Sequence, residues 1–205
     1  MMPVNTARPQ PGRRAAFIDR DGVINVESGF VHRLEDLVFL PGAIEGLRRL
    51  QAAGYLLVVI TNQSGIARGL YSEADYLQLT AGMQQRLAAA GVQLSTVEYC
   101  PHLPDGEIER YRRDCDCRKP RPGMITRAAA ALGIDLSASI LIGDRATDIQ
   151  AGRAAGVGRC WLVRSGAALS EGDVDLADAS FDDLAQCAGQ LAPASGESRS
   201  DLQSS

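Results

Sequence analysis

The sequence predicts an α/β protein with a mainly parallel sheet flanked by helices, and three observations support this fold class. Five short apolar segments have the pattern of buried strands, helical segments alternate with them, and polar residues follow the ends of four strands. In such sheets the ligand site lies beyond the carboxyl ends of the strands. The polar residues at those ends are therefore the candidate site residues.

The predicted strands are apolar runs that end on polar residues or turns. They cover residues 15–19, 55–63, 96–100, 139–144 and 159–163. The predicted helices cover residues 42–53, 73–90, 124–132 and 146–155. Ser72 and Asp75 indicate a capping box at the start of the second helix. Glycines that favour helix ends follow each helix, at Gly54, Gly91, Gly133 and Gly156.

Length and charge limit the class of protein. The chain has 205 residues, which favours one domain, and its net charge of −4 disfavours nucleic-acid and membrane partners. We expect a flexible leader at 1–13, one domain at 14–192 and a disordered polar tail at 193–205. The leader lacks the apolar centre of a signal peptide, so we expect a cytoplasmic protein. No apolar heptad demands association, and a monomer is expected.

The segment "DRDG" provides two carboxylates, Asp19 and Asp21, at the end of the first strand. Gly22 permits a turn that points both toward one crevice. Two close carboxylates repel each other unless a cation lies between them, and Mg²⁺ prefers such oxygen ligands. One carboxylate could attack a substrate while the other exchanges a proton. Taken alone, the motif could equally be a helix cap or an exposed turn.

The other strand ends provide complementary groups. Thr61 and Asn62 offer neutral donors that suit phosphate oxygens, and Lys119 could place a positive charge on a transferred phosphoryl group. Asp144 could bind a metal, and Asp148, four residues later on the same helix face, could orient its waters or Lys119. Turn chemistry, a surface lysine and helix capping are the alternatives for these motifs taken singly.

A polar stretch collects Cys100, His102, Cys115 and Cys117 in a C-x-H…C-x-C pattern. Three sulfurs and one imidazole match a closed tetrahedral Zn²⁺ site, which would be structural. A disulfide between Cys115 and Cys117 would need a strained loop, and a redox C-x-x-C is absent. A cysteine nucleophile would have only His102 as a nearby base. The polar loop between these residues is expected to fold when it binds the metal, covering residues 100–117.

The order of these motifs resembles the haloacid dehalogenase (HAD) superfamily of phosphotransferases over residues 17–163. The resemblance implies a Rossmann-like HAD fold and a phospho-aspartyl mechanism. Asp19 would be the nucleophile and Asp21 the general acid and base. Mg²⁺ would be held by Asp19, the backbone carbonyl of Asp21 and Asp144. The phosphoryl oxygens would be held by Thr61, Asn62 and Lys119.

With the zinc loop included, the motifs resemble a bacterial, largely capless and zinc-containing branch of this superfamily. They are "DRDGVIN", "GFVH", "TNQSGIARG", "YCPH", "CDCRKPRPGM" and "IGDRATDIQAG". This resemblance implies a phosphoric monoester hydrolase that removes the 7-phosphate of a heptose 1,7-bisphosphate, on the route to nucleotide-activated heptose for lipopolysaccharide. Arg118 is then the candidate for the remaining C1 phosphate, unless it is a plain surface arginine. Arg145, a supporting residue, replaces a lysine common in relatives.

Two rival functions remain at this stage. A histidinol-phosphate phosphatase shares the zinc loop, but its cationic substrate fits an Arg-rich neighbourhood poorly. A non-catalytic zinc-stabilised binding module would leave the four aspartates without a role, and the net acidity disfavours nucleic acid.

Overall fold

The computed structural model describes residues 12–191 and contains a six-stranded sheet with every pair of neighbours parallel. The strands are β1 Ala15–Ile18, β2 Leu56–Asn62, β3 Leu94–Cys100, β4 Ile140–Gly143, β5 Arg159–Val163 and β6 Ala179–Phe181. The predicted parallel α/β fold is confirmed. The short edge strand β6 was not predicted, because three half-buried residues give no recognisable apolar run.

The strand order is β3-β2-β1-β4-β5-β6, so the direction of winding changes between β1 and β4. Ile18 lies opposite Val59 of β2 and Ile142 of β4. The carboxyl ends of β1, β2 and β4 therefore lie next to one another at the same edge of the sheet. A crevice opens where the order reverses, as in other doubly wound sheets. This crevice receives the polar residues that follow the strands.

Seven helices cover the sheet in the described part of the chain. They are α1 Ala43–Ala52, α2 Ser64–Ala67, α3 Glu73–Ala89, α4 Gly123–Leu132, α5 Ala146–Ala155, α6 Glu171–Asp175 and α7 Leu184–Ala188. The capping box of Ser72 and Asp75 at the start of α3 is confirmed. Gly133 and Gly156 end α4 and α5 in the left-handed conformation that glycine permits.

Two apolar layers lie on opposite faces of the sheet, because successive strand residues point to opposite sides. In β1, Ala16 and Ile18 pack with residues of α1, α3 and α7. Ala15 and Phe17 pack with residues of α4 and α5 on the other face. Both faces of β1 are fully covered, and the central strands are therefore continuous apolar runs without alternation.

A third apolar cluster lies under the connection from β3 to α4. It contains Ile66, Ala67, Tyr71, Tyr76, Leu103 and Tyr111. Leu103 and Tyr111 belong to the loop with the three cysteines, so this loop is not held by polar groups alone, contrary to the expectation from its composition. The connection carries only a 3₁₀ turn, Glu109–Tyr111, and no cap domain occurs within residues 12–191.

The ends of the chain fall largely outside the described residues. The predicted tail and residues 1–11 of the predicted leader lie there, and both stay predictions. Arg13 forms a parallel bridge with Ile134 and so belongs to the fold. No helix within residues 12–191 combines the length and apolar character that a membrane span requires.

Candidate active site and metal centre

The ends of β1, β2 and β4 and the loop before α4 line one pocket of about 730 Å³. The sequence-predicted residues that line it are Asp19, Asp21, Thr61, Asn62, Arg118, Lys119, Asp144, Arg145 and Asp148. All predicted phosphate-binding and magnesium-binding residues therefore share one cavity. The cysteine cluster forms a separate centre in the adjoining loop.

Lys119 lies at the floor of the pocket, and its side chain is 3% exposed. Its Nζ is 2.9 Å from Oδ1 of Asp19, 2.6 Å from Oδ1 of Asp148 and 3.0 Å from the carbonyl oxygen of Ile60. The ammonium group thus forms two ion pairs and donates one hydrogen bond to the backbone. Burial alone would lower the pKa of Lys119, but Asp148 and Asp19 outweigh it and raise the pKa. Lys119 is consequently a fixed cation between two carboxylates.

The surroundings of Asp19 and Asp144 disfavour their ionised forms, even with Lys119 beside Asp19. Burial raises the pKa of Asp19 well above its usual value, with a further increase from nearby carboxylates, although Lys119 opposes it. Burial and Asp148 together raise the pKa of Asp144 to about 6. A divalent cation next to both groups would stabilise their ionised forms.

The surroundings of Asp144 fit a bound metal ion. Its Oδ2 accepts a hydrogen bond from the backbone N–H of Ala167 at 2.9 Å. Its Oδ1 is buried, and no residue within 12–191 donates to it. Gly22 and Gly166 approach so closely that a side chain at either position would overlap the Asp144 carboxylate. The fold thus holds one carboxylate oxygen fixed and leaves the other available as an oxygen ligand.

Asp148 lies near Asp19 and Asp144, and the three together could hold a metal ion. Its oxygens nevertheless have other partners. Oδ1 pairs with Lys119, and Oδ2 accepts the backbone N–H of Arg145 at 3.0 Å, which caps α5. This geometry agrees with a supporting role, in which Asp148 orients Lys119.

Asn62 and Thr61 follow each other at the end of β2 but have different partners. Nδ2 of Asn62 donates to the carbonyl of Lys119 at 3.2 Å, and Oδ1 accepts the Lys119 N–H at 3.1 Å. Asn62 therefore fixes the backbone of Lys119 and keeps one amide hydrogen for another acceptor. Oγ1 of Thr61 accepts a hydrogen bond from Gln63 at 2.8 Å.

Asp21 is held by three neighbours that the sequence did not single out. The Arg20 guanidinium contacts both carboxylate oxygens, Asn25 donates to Oδ1 at 2.9 Å, and Gln63 donates to Oδ2 at 3.0 Å. Arg20 is 1% exposed. Arg20 and Asn25 stand within "DRDGVIN", but nothing in the sequence indicated that both side chains turn inward.

Arg118 and Arg145 lie at the pocket wall. Arg118 is half-buried, and its NH1 donates to the carbonyl of His102 at 3.4 Å. The side chain of Arg145 is 54% exposed, with Nε 3.8 Å from Oδ2 of Asp144. Both residues line the pocket in which Lys119 lies, and the sequence predicted Arg118 alone for a second anionic group.

Cys100, His102, Cys115 and Cys117 converge as predicted. The three sulfur–sulfur distances are 3.3, 3.4 and 3.6 Å, and Nδ1 of His102 is 3.3 Å from Sγ of Cys117. Disulfide sulfurs lie only about 2.05 Å apart, and the cysteines are free thiols. The edges of a ZnS₃N tetrahedron measure roughly 3.5–3.8 Å with Zn–S near 2.3 Å. The donor set fits Zn²⁺.

The chemistry of these donors also favours a metal. Burial raises the pKa of the Cys100 and Cys117 thiols, so thiolates at this place require a neighbouring cation. Burial and Arg113 lower the pKa of His102, which keeps the imidazole in the neutral form that binds metals. The ring directs Nδ1 to the sulfurs. A metal-bound Nδ1 leaves the ring hydrogen on Nε2, so the Arg113 guanidinium, a donor 2.6 Å from Nε2, would have to move when the metal binds.

The loop has a second attachment at Glu73, the first residue of α3. Its carboxylate accepts hydrogen bonds from the hydroxyls of Tyr99 at 2.6 Å and Tyr111 at 2.7 Å. The backbone N–H of Ile108 also donates to the carbonyl of Ala67 at 2.9 Å. These bonds join the loop to α2 and α3 independently of the cysteines.

Comparison with known proteins is consistent with this arrangement. The family model described as HAD-hydrolase-like matches residues 116–187. The D-glycero-beta-D-manno-heptose-1,7-bisphosphate 7-phosphatase of Photorhabdus laumondii is 50% identical over 155 residues, 76% of this chain and 82% of that protein. The protein of the same name from Escherichia coli K12 is 46% identical over 171 residues, 83% of this chain and 90% of that protein.

A solved structure also resembles the whole fold. The crystal structure of D,D-heptose 1,7-bisphosphate phosphatase from B. bronchiseptica, complexed with magnesium and phosphate, has a TM-score of 0.74 and 35% identity. The match covers 87% of this chain and 97% of that one.

Proposed function

Because the chain belongs to the D-glycero-beta-D-manno-heptose-1,7-bisphosphate 7-phosphatase family, we propose that it hydrolyses the 7-phosphate of that sugar bisphosphate. One observation carries the proposal. Lys119 is fixed between Asp19 and Asp148 at the switch point of the sheet, beside an Asp144 oxygen without a hydrogen-bond partner among the described residues. A nucleophile, a fixed cation and a metal ligand thus surround one position for a phosphoryl group.

The reaction proceeds in two displacements. Asp19 attacks the phosphorus of the 7-phosphate, the bond to O7 breaks, and Asp21 gives its proton to that oxygen. Asp21 then takes a proton from water, whose oxygen attacks the phosphorus and releases phosphate from Asp19. Lys119, the free hydroxyl hydrogen of Thr61 and the remaining amide hydrogen of Asn62 stabilise the negative charge on the phosphoryl oxygens.

Mg²⁺ fits this site, and the orphaned Oδ1 of Asp144 is the observation that supports it. Asp19, Asp144 and the backbone carbonyl of Asp21 would hold the ion. When bound, it would neutralise charge on the phosphoryl oxygens. Asp148 keeps Lys119 in position and is not assigned to the ion.

The distal phosphate is assigned to the arginines of the pocket wall. Arg118 binds the C1 phosphate, because it lines the pocket and is the residue next to Lys119. Arg145 keeps the positive charge at its position and supports the same anion. The relatives are named for the β-anomer, and we propose the same anomer here.

Cys100, His102, Cys115 and Cys117 hold a structural Zn²⁺ that orders the loop carrying Arg118. Three thiolate ligands favour a reducing compartment, which supports the cytoplasmic location. The monomeric state and the absence of nucleic-acid and membrane partners stay predictions.

Steady-state hydrolysis of both heptose 1,7-bisphosphate anomers and of histidinol phosphate, with Mg²⁺ and with EDTA, tests the proposal. We expect the highest kcat/KM with the β-anomer, release of only one phosphate, and loss of activity in EDTA. Asp19→Asn should fold, keep zinc and lose activity. A higher kcat/KM for histidinol phosphate would overturn the substrate, and an active Asp19→Asn variant would overturn the mechanism.

A further inference from the structure

We infer that Gln63 and Tyr71 form a positioning pair that fixes the direction of the hydrogen bonds at both Asp21 and Thr61. The inference rests on the proposed function and assigns a role to two residues that do not touch the phosphoryl group. Gln63 is 3% exposed and Tyr71 is 7% exposed, and both border the pocket.

Three hydrogen bonds connect the pair to the site. The Tyr71 hydroxyl donates to Oε1 of Gln63 at 2.6 Å. Nε2 of Gln63 donates to Oδ2 of Asp21 at 3.0 Å and to Oγ1 of Thr61 at 2.8 Å. Every side-chain donor and acceptor group of Gln63 is therefore engaged. One amide joins the general acid to a phosphoryl-binding hydroxyl.

The ionised Asp21 carboxylate, which is the state after Asp21 has given its proton to O7, decides which way the Gln63 amide faces. In the opposite orientation, Oε1 would lie against the Asp21 carboxylate and Nε2 against the Tyr71 hydroxyl. Two acceptors would then face each other in a buried position, which costs the full hydrogen bond and adds repulsion. Burial raises the pKa of Tyr71, so its hydroxyl remains a donor at neutral pH.

This orientation has a consequence for each catalytic group. Thr61 accepts a hydrogen bond from Gln63, so its own hydroxyl hydrogen points away from Gln63. Thr61 lines the pocket, where a phosphoryl oxygen would accept this hydrogen. Because Oδ2 of Asp21 accepts from Gln63, that oxygen is held in place, and the carboxyl group keeps one rotamer for proton transfer to the leaving oxygen.

Tyr71 is itself fixed by its neighbours. The His32 ring stacks on it at a centroid distance of 4.9 Å and an interplanar angle of 2°. Gly65 lies against the ring edge, and a side chain there would overlap the Tyr71 ring. Gly65 of "TNQSG" and His32 of "GFVH" thus both contact Tyr71, the residue that orients Gln63.

The test compares substrates that differ in their need for a proton. The sugar bisphosphate has a poor alkoxide leaving group. The leaving groups of 4-nitrophenyl phosphate and acetyl phosphate, by contrast, depart without protonation. Tyr71→Phe should lower kcat/KM for the sugar about tenfold, and Gln63→Glu about 100-fold, while values for the two activated substrates change less than about threefold. Tyr55→Phe, a buried tyrosine outside the pocket, is the matched control and should change neither.

A double-mutant cycle provides a second measurement that does not depend on the activated substrates. In the Asp21→Asn background, Tyr71→Phe should lower kcat/KM for the sugar less than about threefold, because only the contribution through Thr61 is left. An equal loss for all substrates, full activity of Tyr71→Phe, or additive effects in the cycle would overturn the inference. A wild-type protein inactive on the sugar bisphosphate would instead overturn the proposed function.

Discussion

Replacing Lys119 with methionine should lower the free energy of unfolding more than the same replacement of an exposed charged residue. The side chain is 3% exposed, and its ammonium group compensates two carboxylates at 2.9 and 2.6 Å. Removing one partner from a buried ion pair costs about 3–5 kcal/mol, because the remaining charges stay buried without compensation. For a domain of this size the loss corresponds to a decrease in Tm of about 6–20 °C.

Thermal and urea unfolding in EDTA would measure this loss, with Arg127→Met as the matched control. Arg127 pairs with Glu98 at 2.9 Å, but its side chain is 48% exposed, so the control should lose less than about 1 kcal/mol. Mg²⁺ should then raise the Tm of Lys119→Met more than that of the wild type. The reason is that the ion and Lys119 share Asp19, so without the ammonium group the ion binds this carboxylate without repulsion.

A loss below about 1 kcal/mol in EDTA would refute the reasoning, since it would mean that the carboxylates need no cation. Equal stabilisation of both proteins by Mg²⁺ would show that the ion and Lys119 do not share Asp19. Phosphatase activity of the variant should fall by at least about 100-fold, because the charge that faces the phosphoryl oxygens is gone.

Three further predictions concern the metals and the second phosphate. Cys115→Ser should reduce bound zinc well below one ion per chain on elemental analysis and raise KM, and unchanged zinc would contradict the ligand set. Gly166→Ala should displace the Asp144 carboxylate and lower Mg²⁺-dependent activity more than about tenfold. Gly172→Ala should leave the activity unchanged, because the added carbon would meet only the Ser170 Oγ at 3.9 Å. Arg118→Ala should raise KM for the bisphosphate about 10- to 100-fold but not for the 7-monophosphate, and equal effects would place the distal phosphate elsewhere.

The strands and the residues that follow them could be predicted because both depend on local pattern. Apolar runs such as 55–63 mark buried strands, and a parallel sheet brings the following residues to one edge. The spacing of the cysteines and His102 similarly predicted their convergence. The edge strand β6 and the short helices α6 and α7 could not be predicted, since three to five residues carry too little periodicity.

The partners of the site residues were the part that the sequence could not reveal. Arg20 looks like a solvated arginine between two aspartates, yet it is 1% exposed and binds Asp21. Gln63 and Tyr71 are eight positions apart and meet only after α2 turns the chain. Leu103 and Tyr111 appeared to belong to a polar loop, although they form part of an apolar cluster. Each role depends on the folded surroundings of the residue, which no local sequence pattern indicates.

The two hydrogen bonds between the Asn62 side chain and the Lys119 backbone also bear on which substrates the protein would accept. The backbone N–H and carbonyl of Lys119 both hydrogen-bond to Asn62 at the end of β2, and Cys117 is a member of the cysteine cluster. Arg118 is the single residue between these two anchors. If the two residues have the roles proposed above, the loop fixes the separation between the backbone of Lys119, which serves the transferred phosphoryl group, and that of Arg118, which serves the distal phosphate. A bisphosphate with a shorter spacing between its phosphates would reach one cation and miss the other.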